Sequence, residues 1–567
     1  MRLSLTDENE GDRHMRTSMR VRLGLGLALA AFFGARGASA TTVLEVGDNG
    51  SEQMGRGGAW VARASDPLAA FYNPAGLAGQ ETRLTLQANI NIQSTCFTRQ
   101  KASNDGTVAD GDVKSATSTV PAGSTFPQVC NQAQPFPDPQ IAFTYRVTPR
   151  LGIGLAIVAP SAAGQQTWPS TQTGADGGTI QSPQRYLLIS ENALVLTPAL
   201  GIGWEPIDRL RIGASFIWGV ANLDISNDSW GNNQGGVNAN GTVQTSGPRA
   251  PANDVLGEIK VSSMFIPGFT AGVIYSPIDN LDIAGWYKFM STIDAKGSVK
   301  VTYPPGGNAN ITDTTFTNCN NPGGPALCKA NDVEVKIPLP MEAKVGFRWH
   351  QPRAGVEQAH RRDPMATDLY DVEADFTWAN DSAFQQIGIS LPGIPVNIAN
   401  GGTGLVQLPT DASIPHNFKD VYGVRLGSDI NVLPDQLAVR AGGYYQTAAA
   451  TPEYQNIDFV GEWEFGLALG ATYRVHFGHE STKALEISAG FGHTFVGTSS
   501  YTTSTPQQSG VHGLAGTQCN GTVTGNTNVG TTGCSDGVQS YRTEWPVNLG
   551  TITNSFNQIN LGLSYRF

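Results

Sequence analysis

The sequence has no uninterrupted apolar run of the roughly 18 residues that a membrane-spanning helix needs; its apolar leader, 23–33, is too short. Any passage through a bilayer therefore has to be made by strands closed into a barrel. Charge is scarce, at 15% of residues, and acidic side chains outnumber basic ones, for a net charge of −11. Losing residues 1–40, with six basic and four acidic side chains, would leave −13, which excludes an electrostatic nucleic-acid binder. Cysteines number six, without CxxC spacing or a nearby His pair, so a zinc site is not expected. There is no GxSxG elbow or phosphate-cradling loop, and His416, His476, His479 and His493 are scattered. No enzyme, metal or cofactor is expected from such a set.

What the chain does have is 67 glycines, abundant Thr and Asn, and few helical patterns, the composition of a β-rich, turn-rich protein. Its N-terminus carries arginines, the apolar stretch 23–33 and a small-x-small site at 38–40. This reads as a secretory signal over 1–40, cut before Thr41, with translation beginning at Met1, Met15 or Met19. Export puts the cysteines in an oxidising compartment. Six allow fifteen pairings; three local clips, Cys96 with Cys130, Cys319 with Cys328 and Cys519 with Cys534, are the economical expectation.

Period-two alternation, one face apolar and one polar, recurs along the chain. In the last strand Ile559, Leu561, Leu563, Tyr565 and Phe567 share one face, and Gln558, Asn560, Gly562, Ser564 and Arg566 the other. Fourteen such segments are read at 84–92, 140–147, 151–159, 186–205, 210–225, 264–276, 281–301, 333–349, 369–384, 418–432, 437–446, 462–477, 484–496 and 556–567. Their connections alternate between tight turns (TPR, PIDR, SPIDN, LPDQ, GHESTK) and long Gly/Asn/Thr-rich loops, the pattern of an outer-membrane barrel with periplasmic turns and extracellular loops. One turn-side connection, 350–368, is longer than that pattern predicts. All six cysteines fall in the long-loop set. Trp204, Trp218, Trp286, Tyr287, Trp349, Trp378, Trp463, Tyr473, Tyr565 and Phe567 lie at strand ends and in the outward phase, as interfacial girdles do. A chain ending on this pattern with a terminal Phe resembles the closing strand and assembly signal that barrel-assembly machinery recognises.

The segment SEQMGRGGAWVARASDPLAAFYNPAGLAG, with Asn73, Pro74, Ala75 and Gly76, is followed by FIPGFTAGVIYSPIDNLDIAGWYKF, IPLPMEAKVGFRW, YDVEADFTWANDSAF and LPDQLAVRAGGYYQ. In these motifs and their order the mature chain resembles the FadL/TodX outer-membrane transporters of long-chain fatty acids and aromatic hydrocarbons. The resemblance implies an all-β, transmembrane antiparallel barrel of about fourteen strands over 81–567, with 41–80 folded into its lumen as a hatch. It also implies passive uptake of a hydrophobic small molecule, sideways release into outer-membrane lipid, a monomer, and a place in the outer membrane of a Gram-negative bacterium. The gap for release is expected near Pro160, after strand LGIGLAIVAP, because proline cannot continue a hydrogen-bonded ladder; the family's common Pro-Phe-Gly is absent there.

Phasing the strands by their aromatic faces turns Lys288, Glu342, Lys344, Arg348, Asp371, Glu373, Asp375, Arg425, Arg440, Glu464 and Arg474 inward. Such groups need partners or water at membrane depth, and a mixed-sign network anchoring the hatch is the main expectation. Lys288 and Arg425 are the candidates for meeting a fatty-acid carboxylate. The alternative function is a surface-binding adhesin acting through its clipped loops; a diffusion porin would conduct ions with the hatch in place.

Overall fold

A computed structural model describes residues 49–100, 125–159, 164–173, 179–230, 254–302, 327–355, 362–390, 395–396, 406–407, 411–477, 483–502 and 547–567. The signal segment, Pro160, Cys319, Cys519 and Cys534 lie outside the described residues.

Fourteen antiparallel strands form the wall: β1 (Arg83–Arg99), β2 (Phe136–Thr148), β3 (Leu151–Val158), β4 (Ser190–Ile207), β5 (Leu210–Trp230), β6 (Asp254–Ile278) and β7 (Leu281–Met290) come first. They are followed by β8 (Glu342–Pro352), β9 (Asp368–Ala379), β10 (Val421–Leu433), β11 (Leu437–Gln446), β12 (Glu464–His476), β13 (Ala484–Val496) and β14 (Gly550–Arg566). Each pairs with its chain neighbours, and β14 pairs with both β13 and β1, from Arg83 opposite Arg566 to Arg99 opposite Gly550. The sheet thus closes on itself and no edge is left to meet lipid. Among the described residues no helix is long and apolar enough to cross a membrane.

Alternation sorts the two faces of this wall. Leu561 and Leu563 of β14 face out and are exposed, whereas Gln558, Asn560, Ser564 and Arg566 face in and are buried. Trp204, Trp218, Trp349, Trp463, Tyr473 and Phe567 are likewise exposed on the outer face. Trp286 departs from the sequence expectation: it shares a phase with Lys288, so it points inward and is 4% exposed.

Two segments read from sequence as single strands are interrupted. The 281–301 segment stops at Met290 and resumes at Ile293–Thr302, while 333–349 is divided between Leu327–Ile337 and β8 by Pro338 and Pro340, which cannot donate to a ladder. Register is nevertheless kept across the break, with Leu281 opposite Trp349 below it and Ile293 opposite Ile337 above. The upper pieces join Gln386–Ser390 and Asp411–Pro415, carrying the wall beyond the main ladder at the long-loop end.

Cys96 and Cys130 form a disulfide, clipping the strand Val129–Cys130 onto β1. Cys328 lies in Leu327–Ile337, and its expected partner is outside the described residues.

Candidate functional site

Inside the barrel, residues 49–80 form two short helices, α1 (Ser51–Gly55) and α2 (Ala69–Tyr72), and a 3-10 turn, Pro74–Leu77. Most of this segment is buried. Its Asn-Pro-Ala-Gly stretch is a local structure with a clear cause. Asn73 is extended and its Oδ1 accepts from Ala75 N at 3.2 Å, capping a turn that Pro74 starts with a preset φ. Its Nδ2 donates to Val61 O at 2.7 Å, tying the turn back to the middle of the hatch.

The wall that receives this turn has no side chains where the hatch backbone presses on it. A Cβ on Gly203 would come within 2.5 Å of Pro74 O and 2.6 Å of Ala78 N, and one on Gly154 within 2.7 Å of Leu77 Cδ2. Added carbons on Gly213 and Gly272 would fall on the Pro74–Ala75 peptide and on Asn73 Oδ1. Glycines on β3, β4, β5 and β6 thus make one recess fitted to the Asn73–Leu77 segment, its backbone at Gly203 and Gly213 and its side chains at Gly154 and Gly272.

On the opposite wall, β9 presents Asp371, Glu373 and Asp375 at alternate positions, hence on one face. Asp375 Oδ2 accepts from Trp60 N and Val61 N at 2.9 and 3.1 Å, and Glu373 Oε1 from Ala62 N at 2.6 Å. Arg56, fully buried, donates to Asp371 at 2.6 Å, Asp429 at 2.7 Å and Glu373 at 3.1 Å. Arg63 pairs with Glu52, Asp371 and Asp429. Burial would lift the Glu52 carboxyl, but the Arg63, Arg440 and Arg56 guanidiniums outweigh it and hold it at about 2. Asp66 meets the reverse balance: burial and the nearby Glu52 push it up to about 7, despite Arg83 and hydrogen bonds from Leu68 N and Gln53.

Of the eleven ionisable side chains phased inward from sequence, ten are buried; Glu464 is half-buried. The structure brings most of them to the hatch. Lys288 pairs with Glu342, its Nζ lying 5.3 Å from the Phe71 ring centroid. Lys344 lies over Trp286 and Tyr72 at 5.2 and 5.9 Å. Arg425 donates to Gly57 O at 3.1 Å and sits 5.0 Å from the Tyr444 ring. Both carboxylate candidates therefore touch the hatch. Sequence phasing missed Arg56 and Arg63, because a segment without strand periodicity has no phase to read.

The long turn-side connection also has a structural use. Between β8 and β9, residues 362–367 carry a short helix, α3 (Pro364–Thr367), and work as a strap across the short-turn mouth. Arg362 donates to Pro149 O and Glu205 on one side. Next to it, Asp363 accepts from Arg474 at 2.8 and 2.9 Å and from Arg566 at 2.7 and 3.0 Å on the other. Burial opposes ionisation of Asp363, but these two guanidiniums prevail and hold its carboxyl far below the usual range.

At the long-loop end the residues 449–460 fold inward. His416, fully buried, places Nε2 3.1 Å from both Asp458 carboxylate oxygens and stacks on Phe384 at 4.9 Å, with Phe418 and Phe459 around it. Among the described residues no group of metal-ligating side chains is present.

Residues 35–535 match the family model described as outer membrane protein transport protein (OMPP1/FadL/TodX). No curated protein matches the chain. A solved Pseudomonas aeruginosa FadL homologue is 17% identical, with a TM-score of 0.63 over 92% of this chain and 99% of its own. The toluene transporter TbuX of Ralstonia pickettii is 14% identical, with a TM-score of 0.51 over 92% of this chain and 98% of its own. The toluene transporter TodX of Pseudomonas putida is 13% identical, also at 0.51, over 93% of this chain and 99% of its own. These identities carry a likeness of fold.

Proposed function

The chain belongs to the OMPP1/FadL/TodX family of outer membrane transport proteins, and on that premise we propose that it imports hydrophobic molecules passively, long-chain fatty acids or aromatic hydrocarbons. The hatch, residues 41–80 in this reading, bars the lumen to ions and water, and the ligand leaves sideways into the bilayer. The observation that carries this reading is the double hold on the hatch, backbone against glycine recess on one wall and Arg56 on three carboxylates on the other. A lumen filled in this way favours a ligand whose exit is apolar. Each CH2 moved from water to an apolar place gains about 0.8 kcal/mol, so release into lipid is downhill and release into water is not.

The sideways route is supported by the wall at β2 and β3. Their ladder ends with Ile141 opposite Ile157, whereas β2 runs on to Phe136, and pairing to β4 resumes only at Gln165–Thr167. Pro160 falls in that interval. A disulfide between Pro139→Cys and Ala159→Cys is expected to seal the opening and stop uptake until reduced. Lys288 and Arg425 are proposed to meet a ligand carboxylate only if the hatch shifts off them.

The test is uptake of labelled oleate and of toluene by Gram-negative cells lacking their own transporter and expressing this chain or an empty vector. Uptake of either above the empty vector supports the reading and names the class; uptake of neither, with the barrel verified in the outer membrane, sinks it.

A further inference from the structure

Between the strap, the hatch and the short-turn ends of β3 to β8 lies a cavity of about 330 Å³. Arg63, Ser65 and Gly76 of the hatch form one side, Arg362 and Pro364 of the strap another. A cavity of that volume has room for about ten waters, or for a small oxyanion with part of its hydration. Six arginines line it against four carboxylates, with His350 beside them.

Among the described residues, the pairing inside the cavity leaves one cation over. Glu205 is taken by Arg362, Asp208 by Arg150, Asp279 by Arg209 at 2.9 Å and Asp282 by Arg348 at 3.0 Å. Asp282 also accepts from Ser276 Oγ at 2.5 Å, and His350 lies 3.2 Å from Asp368 and 3.7 Å from Asp282. Arg63 is engaged by Glu52, Asp371 and Asp429. Arg211, on the lumenal face of β5, has no carboxylate within ion-pair distance among the described residues; Glu205 and Asp282 act on it only at longer range. Its five N–H donors form a planar fork suited to two oxygens of one anion.

We propose that this cavity is a binding site for a phosphate-type oxyanion, held by Arg211 at the periplasmic mouth beneath the hatch. The same chemistry is offered by free inorganic phosphate and by the phosphate of an anionic phospholipid headgroup at the inner leaflet. The site is independent of which hydrophobic ligand the lumen carries.

The experiment uses the purified, folded full barrel and native mass spectrometry, with inorganic phosphate as one probe and phosphatidylglycerol against phosphatidylcholine as the other. Wild type, Arg211→Gln and Arg211→Lys are compared, with folding checked by heat-modifiable gel mobility. A saturable phosphate adduct that weakens tenfold or more in Arg211→Gln assigns the site to the free ion. Preferential retention of phosphatidylglycerol, lost in the same variant, assigns it to a headgroup. Arg211→Lys keeps the charge without the fork and is expected to fall between the two. If wild type holds neither probe, or if Arg211→Lys binds as wild type does and a folded Arg211→Gln loses nothing, the proposal is overturned. Should Arg211→Gln fail to fold, unchanged binding by Arg211→Lys alone overturns it.

Discussion

Arg56 Nη1 lies 2.6 Å from Asp371 Oδ1, joining the hatch to the first third of β9 across 315 residues of sequence, and neither side chain is exposed to solvent. A buried pair of this kind owes its importance to what remains when one partner goes. Asp371, Glu373 and Asp429 would then share a water-poor space with one guanidinium fewer, a loss of about 3–5 kcal/mol by analogy with other broken buried pairs.

Arg56→Met should therefore loosen the hatch while leaving the barrel closed. The expected readouts are faster amide exchange over 51–80 and ion conductance in planar bilayers above that of wild type. Conductance and exchange equal to wild type would show that the remaining contacts, from the glycine recess, Arg63, Arg425 and the Asp375 and Glu373 carboxylates, hold the hatch without Arg56.

The recess makes its own prediction. Gly272→Ala puts a carbon on Asn73 Oδ1, and overpacking of this kind costs about 1–3 kcal/mol. Asn73→Ala removes the cap and the bond to Val61, each worth about 1 kcal/mol. Because the second change clears the space the first one fills, the double variant should lose less than the sum of the two. Strict additivity in the denaturant midpoint of hatch release would refute the contact.

Asp66 gives the hatch a pH dependence whose sign follows from its pKa. Folded, it titrates at about 7; unfolded, a free aspartate titrates at about 3.9. A carboxyl raised on folding destabilises the folded form as it ionises, so this contribution is absent below about pH 4 and grows until pH passes about 7. Amide exchange of 51–80, corrected for intrinsic rate, should thus be better protected at pH 5 than at pH 8. Asp66→Asn should flatten that difference, and an equal slope in the variant would assign the effect to another group.

Asp363→Asn tests the strap. Asp363 is held far below the usual carboxylate range by Arg474 and Arg566, so its charge contributes stability at neutral pH that starts to fall below about pH 4 and is fully lost only in strong acid. The neutral variant takes from Arg474 and Arg566 one of two carboxylates they share, Glu486 remaining between them. Exchange in 362–367 should rise several-fold while β1 and β14 stay protected; no change there would mean that Arg362 and α3 suffice.

Much of the wall was legible in the sequence. Alternation is a local property, since successive side chains on a strand must point to opposite faces, so fourteen segments, their inward charges and the lipid-facing row of Ile559, Leu561 and Leu563 could be read directly. Prolines at 338 and 340 break a strand that periodicity alone carries through, and Trp286, an aromatic whose residue type suggests the outer girdle, follows its phase with Lys288 and points in. The hatch is a different matter. The family resemblance implies it, but nothing local says that Arg56 reaches β9, that Asn73 seats against Gly272, or that Asp363 meets Arg474 and Arg566. Those contacts join residues hundreds of positions apart. They exist only once the barrel has closed and excluded enough water to make each buried charge find a partner, which is why the tertiary structure alone could decide them.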